Sequence, residues 1–187
     1  MQALYLVARA IDRTNSITGK IIAWLTLGMV LVQFTVVVLR YVFGLGFIWM
    51  QESILYMHSL VFLVGAGFTL LREGHVRVDI FYRGATGRKK ALIDICGVIL
   101  LLIPFCILVW QVSLPYVMNS WAVLETSRET SGIPAIYLLK TLILVFTVLV
   151  GLQGISLAIK SLLVLTGLME DSGDTTVPAS ERTGGAH

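Results

Sequence analysis

The sequence is short of charge. Only 13% of its 187 residues are Asp, Glu, Lys or Arg, while 57% are hydrophobic. Soluble domains run near ~25% charged and ~45–50% apolar. So few charges cannot keep that much apolar surface in water, and the mean hydropathy of +0.87 agrees. A soluble globular domain is excluded, and so is disorder, which needs low hydrophobicity and high net charge. Cysteine is scarce too: Cys96 and Cys106 share one apolar run, ten residues apart. On a helix that is about 15 Å of rise, too far for a disulfide. There are three histidines, and His75 has no second His or Cys nearby to complete a zinc site with Glu73 or Asp79. No nucleophile–base set, Gly-rich phosphate loop or Cys–His spacing occurs, so enzymatic chemistry is not expected. The net charge of +3 does not imply nucleic acid, because the bases flank apolar runs instead of forming a stripe.

What is present is four long apolar runs. Ile21–Leu39, Ser53–Leu71 and Thr141–Ile159 are each nineteen residues without a charge, and Ile95–Leu124 is thirty. About 20 apolar residues cross about 30 Å of hydrocarbon. The expected fold is therefore an all-α integral membrane protein with four transmembrane helices, spanning about 21–39, 53–71, 95–118 and 137–160. Pro104 and Pro115 should bend the long third helix, and Pro134 suits the first position of the fourth.

Eleven of the fourteen Lys and Arg residues fall on one side of this layout, six of them between Arg72 and Lys90; Arg40, Arg128 and Lys140 fall on the other. The positive-inside rule then puts the N- and C-termini in the cytoplasm. No cleavage pattern follows the first run, so a signal peptide is not expected. Leu4, Val7, Ala8 and Ile11 recur at helical spacing opposite Arg9, Asp12 and Arg13. Residues 1–19 are thus expected to form a short amphipathic helix lying on the inner membrane surface. Residues 20–168 form the membrane domain, and 169–187 a polar, disordered tail.

Few side chains could carry chemistry. His58 is the ionisable group inside a span, five residues into the second, roughly 8 Å deep. It is a relay or ligand candidate by position, but haem would need an axial partner at that depth, and packing between helices is the expected role. Glu52, at the mouth of the same span after Trp49, is placed to pair with Arg40 across the short loop. Gln33, Gln111 and Gln153 lie in three different spans and read as interhelical glue, at about 0.6–2 kcal/mol each. Gly65, Gly67, Gly151 and Gly154 allow close helix approach. The loop from Arg72 to Asp94 carries the cluster Arg88-Lys89-Lys90, which reads equally as a segment touching anionic lipid headgroups and as a solvated topology anchor.

Taken together, Trp49-Met50-Gln51-Glu52, the Gly65-Ala66 stretch and Gly74-His75-Val76-Arg77-Val78-Asp79 resemble the small membrane (Q-type, small permease) subunit of tripartite ATP-independent periplasmic (TRAP) transporters. The resemblance runs from about Lys20 to Leu165. Gln51 departs from the pattern, since many relatives carry a second acid there. The resemblance implies a non-catalytic subunit of the bacterial inner membrane. It would support a large transport subunit in sodium-driven uptake of an organic acid, delivered by a periplasmic binding protein. It also implies that Arg40, Trp49, Glu52, His58, Arg72, His75, Arg77 and Asp79 serve structure or partner contact, that no cofactor is bound, and that sodium coupling lies in the large subunit. The competing reading is a self-sufficient four-helix exporter or channel. Such a protein would need a midplane carboxylate or the interrupted, inverted-repeat helices of transporters, and the sequence has neither.

Overall fold

A computed structural model describes residues 2–72 and 86–168. All regular structure among them is helical. Four helices, α1 (Gln2–Val42), α2 (Ile48–Leu71), α3 (Gly87–Ala122) and α4 (Ile136–Leu165), are each long and apolar enough to cross a membrane. Every backbone polar group within such a helix is satisfied internally, which is what hydrocarbon demands.

Residues 2–19 are helical, but they are not a separate element lying on the surface. They run without a break into the first span, giving 41 helical residues. At 1.5 Å per residue that is about 60 Å, twice the hydrocarbon thickness. The early part of α1 is turned the other way from the amphipathic expectation. Leu4 and Val7 are exposed, whereas Ala8, Asn15, Gly19 and Ile22 are buried against α2 and α4.

α2 and α3 each contain one π turn, at Leu60–Val64 and Val98–Leu102. The second lies directly before Pro104, which has no N–H to donate to Leu100 and whose ring would crowd that carbonyl. A local change of register, in place of a broken helix, absorbs the defect. α4 begins at Ile136, two residues beyond Pro134.

α1, α2 and α4 pack as a mutually contacting triad. α3 rests on α4, with Leu102 and Val98 lying over Gly154, and no comparable contact joins it to α1 or α2. α4 is accordingly the central helix, burying Thr147, Val150, Gln153, Ser156 and Leu163. The α1–α2 and α3–α4 connections lie at one end of the molecule, the connection end. The start of α1 and the end of α4 lie at the other, the terminal end.

Candidate functional site

Polar side chains gather at these two ends. At the terminal end, the Asp12 carboxylate pairs with the Lys160 ammonium. One Asp12 oxygen also accepts hydrogen bonds from Ser156 Oγ at 2.7 Å and Gln153 Nε2 at 2.9 Å. Asn15, one turn along α1, donates to Gln153 Oε1 at 2.7 Å. Ser156 is wholly buried and Asn15 nearly so. A chain of donors therefore runs from Asn15 through Gln153 to a carboxylate that also holds a cation. Taking an ion pair out of water is tolerable only when the remaining lone pairs are satisfied in this way.

α2 closes over this network through Gly67. A Cβ there would stand 2.6 Å from Asn15 Oδ1 and 3.3 Å from Leu149 Cβ, so only a hydrogen fits. Gln153 fulfils the glue role expected of it. Asp12, expected on the polar face of a surface helix, and Lys160, expected as a topology base, instead pair between α1 and α4, and Asn15 joins them with no expectation attached to it. The spacing of Ala8, Asp12, Asn15, Gly19 and Ile22, alternating four and three residues, is the signal that could have found them.

At the connection end, Glu52 does not pair with Arg40. One of its oxygens accepts the Ser127 hydroxyl proton and the other the Ile133 backbone N–H at 2.5 Å. The α3–α4 connection has folded over the start of α2 and offers donors that Arg40, across the short loop, does not. Gly132 is needed there: a Cβ would lie 2.7 Å from Glu52 Oε1 and collide with Ser127. Next to it, Glu125 accepts from Ser120 Oγ at 2.7 Å and pairs with Lys140. Lys140 lies 4.0 Å from the centre of the Tyr116 ring. Trp121 Nε1 donates to Thr141 Oγ1 at 2.9 Å, and its ring meets Tyr137 edge-on at 4.7 Å. The hydrogen bond from Lys140, and after it that from Ser120, holds the Glu125 carboxyl below the usual glutamate range.

The turn that delivers Glu125 is strained. Leu124 has φ of 45°, a left-handed conformation that L side chains rarely adopt. The Glu125 N–H bonds the Ser120 carbonyl and the Leu124 N–H that of Trp121, which closes α3 in a Schellman-type cap.

The remaining expected residues are not drawn together. His58 is exposed and stacks on Phe62, one turn further along α2, at 4.5 Å. The expected packing between helices of this chain is absent, because His58 lies on the face of α2 turned away from α1 and α4. Trp49 is half-exposed beside Phe47, with ring centres 6.4 Å apart. Arg72 is exposed, its guanidinium 5.6 Å from the centre of the Phe68 ring. Gln33 and Gln111 are exposed and show no hydrogen bond to another helix among the described residues, so neither is glue within the chain. Arg40 lines a cleft with Gln33 and Gln51. His75, Arg77 and Asp79, and with them the Arg72–Asp79 pairing and the tail from 169, lie outside the described residues. Both cysteines are free. Among the described residues no group of three or more His, Cys, Asp or Glu side chains could hold a metal. Among the described residues the arrangement clamps helices together at both ends.

No solved structure matches the chain. A curated relative, the C4-dicarboxylate TRAP transporter small permease protein DctQ of Vibrio cholerae serotype O1, is 33% identical over 124 residues. That alignment covers 65% of this chain and 51% of the relative, so the chain spans about half the relative's length. The family described as tripartite ATP-independent periplasmic transporters, DctQ component, matches residues 29–164. With most of the chain matched and four helices fit to cross a membrane, the chain belongs to this family of inner-membrane transporter subunits, which are not enzymes.

Proposed function

We propose that the chain is the scaffold partner of a large TRAP membrane subunit, and that the pair takes up an organic acid on a sodium gradient after a periplasmic binding protein delivers it. One observation carries the reading: ion pairs sit at the two ends, Asp12–Lys160 and Glu125–Lys140, and no carboxylate lies in the middle of any apolar run. Ion-coupled transport needs a polar site near the midplane, usually with interrupted helices around it. A bundle clamped at both ends and empty of charge between them is suited instead to holding still beside a moving neighbour. The wide apolar exterior, with Trp24, Phe34, Phe62 and Leu101 exposed, offers surface to lipid and to that neighbour. The relative's name supports a dicarboxylate as the substrate class. The charge bias supports cytoplasmic termini and a periplasmic connection end.

Reconstitution tests the proposal. The chain alone in liposomes should carry no substrate under a sodium or proton gradient. Addition of the large subunit and binding protein should give sodium-dependent uptake of an organic acid, and omission of this chain should cripple it. Gradient-driven flux through the isolated chain, or full uptake without it, overturns the reading. Reporter fusions after Lys90 and Ser127 should report cytoplasm and periplasm respectively; the reverse result inverts the orientation.

A further inference from the structure

The connection end contains a cleft of about 370 Å³ between α1 and α2, which neither end cluster uses. Its α1 wall carries Gln33, Val36, Val37, Arg40 and Tyr41, and its α2 wall Gln51 and Ile54. The volume falls at the low end of ligand pockets, which run about 300–1,000 Å³. The walls are segregated by depth. Arg40 is the first charge after nineteen uncharged residues, so its guanidinium stands where hydrocarbon gives way to headgroups. Tyr41 and Gln51 border the cleft at that level. Below them Val36, Val37 and Ile54 line it with apolar surface. Gln33, seven residues before Arg40, is about 10 Å deeper along the helix.

The polar groups of this cleft are unspent. Among the described residues Arg40 has no ion-pair partner, because the carboxylate nearest in sequence, Glu52, is held by Ser127 and Ile133. The side chains of Gln33 and Gln51 make no hydrogen bond there either. An unpaired guanidinium at the interface above an apolar trough calls for a ligand with an anionic head and a hydrocarbon tail.

We propose that this cleft binds one phospholipid of the leaflet at the connection end. Its phosphate lies against Arg40, with Tyr41 and Gln51 donating hydrogen bonds. One acyl chain lies over Val36, Val37 and Ile54 and runs down toward Gln33. Guanidinium and phosphate meet as a bidentate, charge-assisted pair. The apolar trough excludes a free phosphate as the preferred occupant, because the phosphate alone leaves it empty.

Native mass spectrometry of the full-length chain, released from mild detergent after delipidation and addition of dioleoyl-phosphatidylglycerol, tests this. The wild type should retain one lipid under collisional activation. Arg40→Gln should lower that retention about tenfold or more, the loss expected for a charge-assisted contact. Arg40→Lys should keep part of it, and Val37→Trp, which fills the trough, should remove it. Arg128→Gln changes a base at the same end but outside the cleft and should behave as wild type. Far-ultraviolet circular dichroism confirms that each variant is folded; should Val37→Trp misfold, the Arg40 pair decides. Equal retention by Arg40→Gln and wild type overturns the site, as does equal loss in Arg128→Gln. Displacement of the lipid by millimolar inorganic phosphate identifies an anion site without an acyl subsite and also overturns it. Unchanged lipid binding with loss of the large subunit on co-purification of Arg40→Gln assigns the cleft to a protein carboxylate instead.

Discussion

Replacing Lys160 by Met gives the sharpest test of the terminal-end network. The substitution keeps most of the aliphatic stem and removes the ammonium. Asp12 is then left with the Ser156 and Gln153 donors and no counter-ion, its side chain only 18% exposed. Breaking a fully buried ion pair costs about 3–5 kcal/mol, and an exposed pair is worth about 0–1 kcal/mol. The exposures of 10% for Lys160 and 18% for Asp12 place this pair nearer the buried limit, at about 2–3 kcal/mol. For a chain of this size each kcal/mol moves the midpoint by about 2–4 °C, so Lys160→Met should melt about 4–12 °C lower. Tryptophan fluorescence of the chain in lipid nanodiscs reads this directly. Asp12→Asn in the same chain removes the stranded charge while keeping an acceptor for Ser156 and Gln153, so the double variant should recover at least half of the loss. A Lys160→Met midpoint within about 1 °C of wild type refutes the argument. So does a double variant that is worse than the sum of its parts, because a coupled pair requires the opposite sign.

Glu125 should make the α3–α4 cap pH-dependent. Its native pKa lies below the unfolded value of about 4.3, so the Lys140 and Ser120 contacts stabilise fully above that pH and lose their effect as pH falls through the native value. The melting difference between wild type and Glu125→Gln should therefore be present at neutral pH and close on acidification. Gly67→Ala should cost about 1–3 kcal/mol by overpacking against Asn15 Oδ1, and combining it with Asn15→Ala should cost less than the two measured separately. Leu124→Gly should raise the melting midpoint by about 2–4 °C, since glycine relieves about 1 kcal/mol of left-handed strain and the Leu124 side chain is 58% exposed. A fall in midpoint in the Leu124→Gly variant would show that the side chain packs.

Side-chain partners were far less legible in the sequence than the helices. Glu52 and Arg40 flank one short loop, and proximity in sequence made them a natural pair. The partners Glu52 takes, Ser127 and Ile133, are more than seventy residues away and become neighbours only when the α3–α4 connection folds over α2. The amides divided in the same manner. Gln153 faces α1 and bonds through both its amide oxygen and its nitrogen, while Gln33 and Gln111 in equally apolar runs stay exposed. A run that is hydrophobic all round has no apolar stripe to mark its inner face, so residue type alone could not sort the three.

The sequence by itself determined the class, the helix content and the four spans, because hydrocarbon selects for apolar length and internal backbone bonding, and both are properties of a single segment. It also contained the family resemblance, carried by the order of short motifs around the second span. Only the tertiary structure decided that the start of α1 continues the first span and turns its Asp12 and Asn15 inward. Only it decided that α4 is central, that α3 leans on α4 alone among its possible neighbours, and that His58 points outward. Each of these depends on which face of a helix meets another helix. In a membrane protein apolar residues serve lipid and partner alike, so the pattern of hydrophobicity does not distinguish the two, and close packing of small and polar groups does.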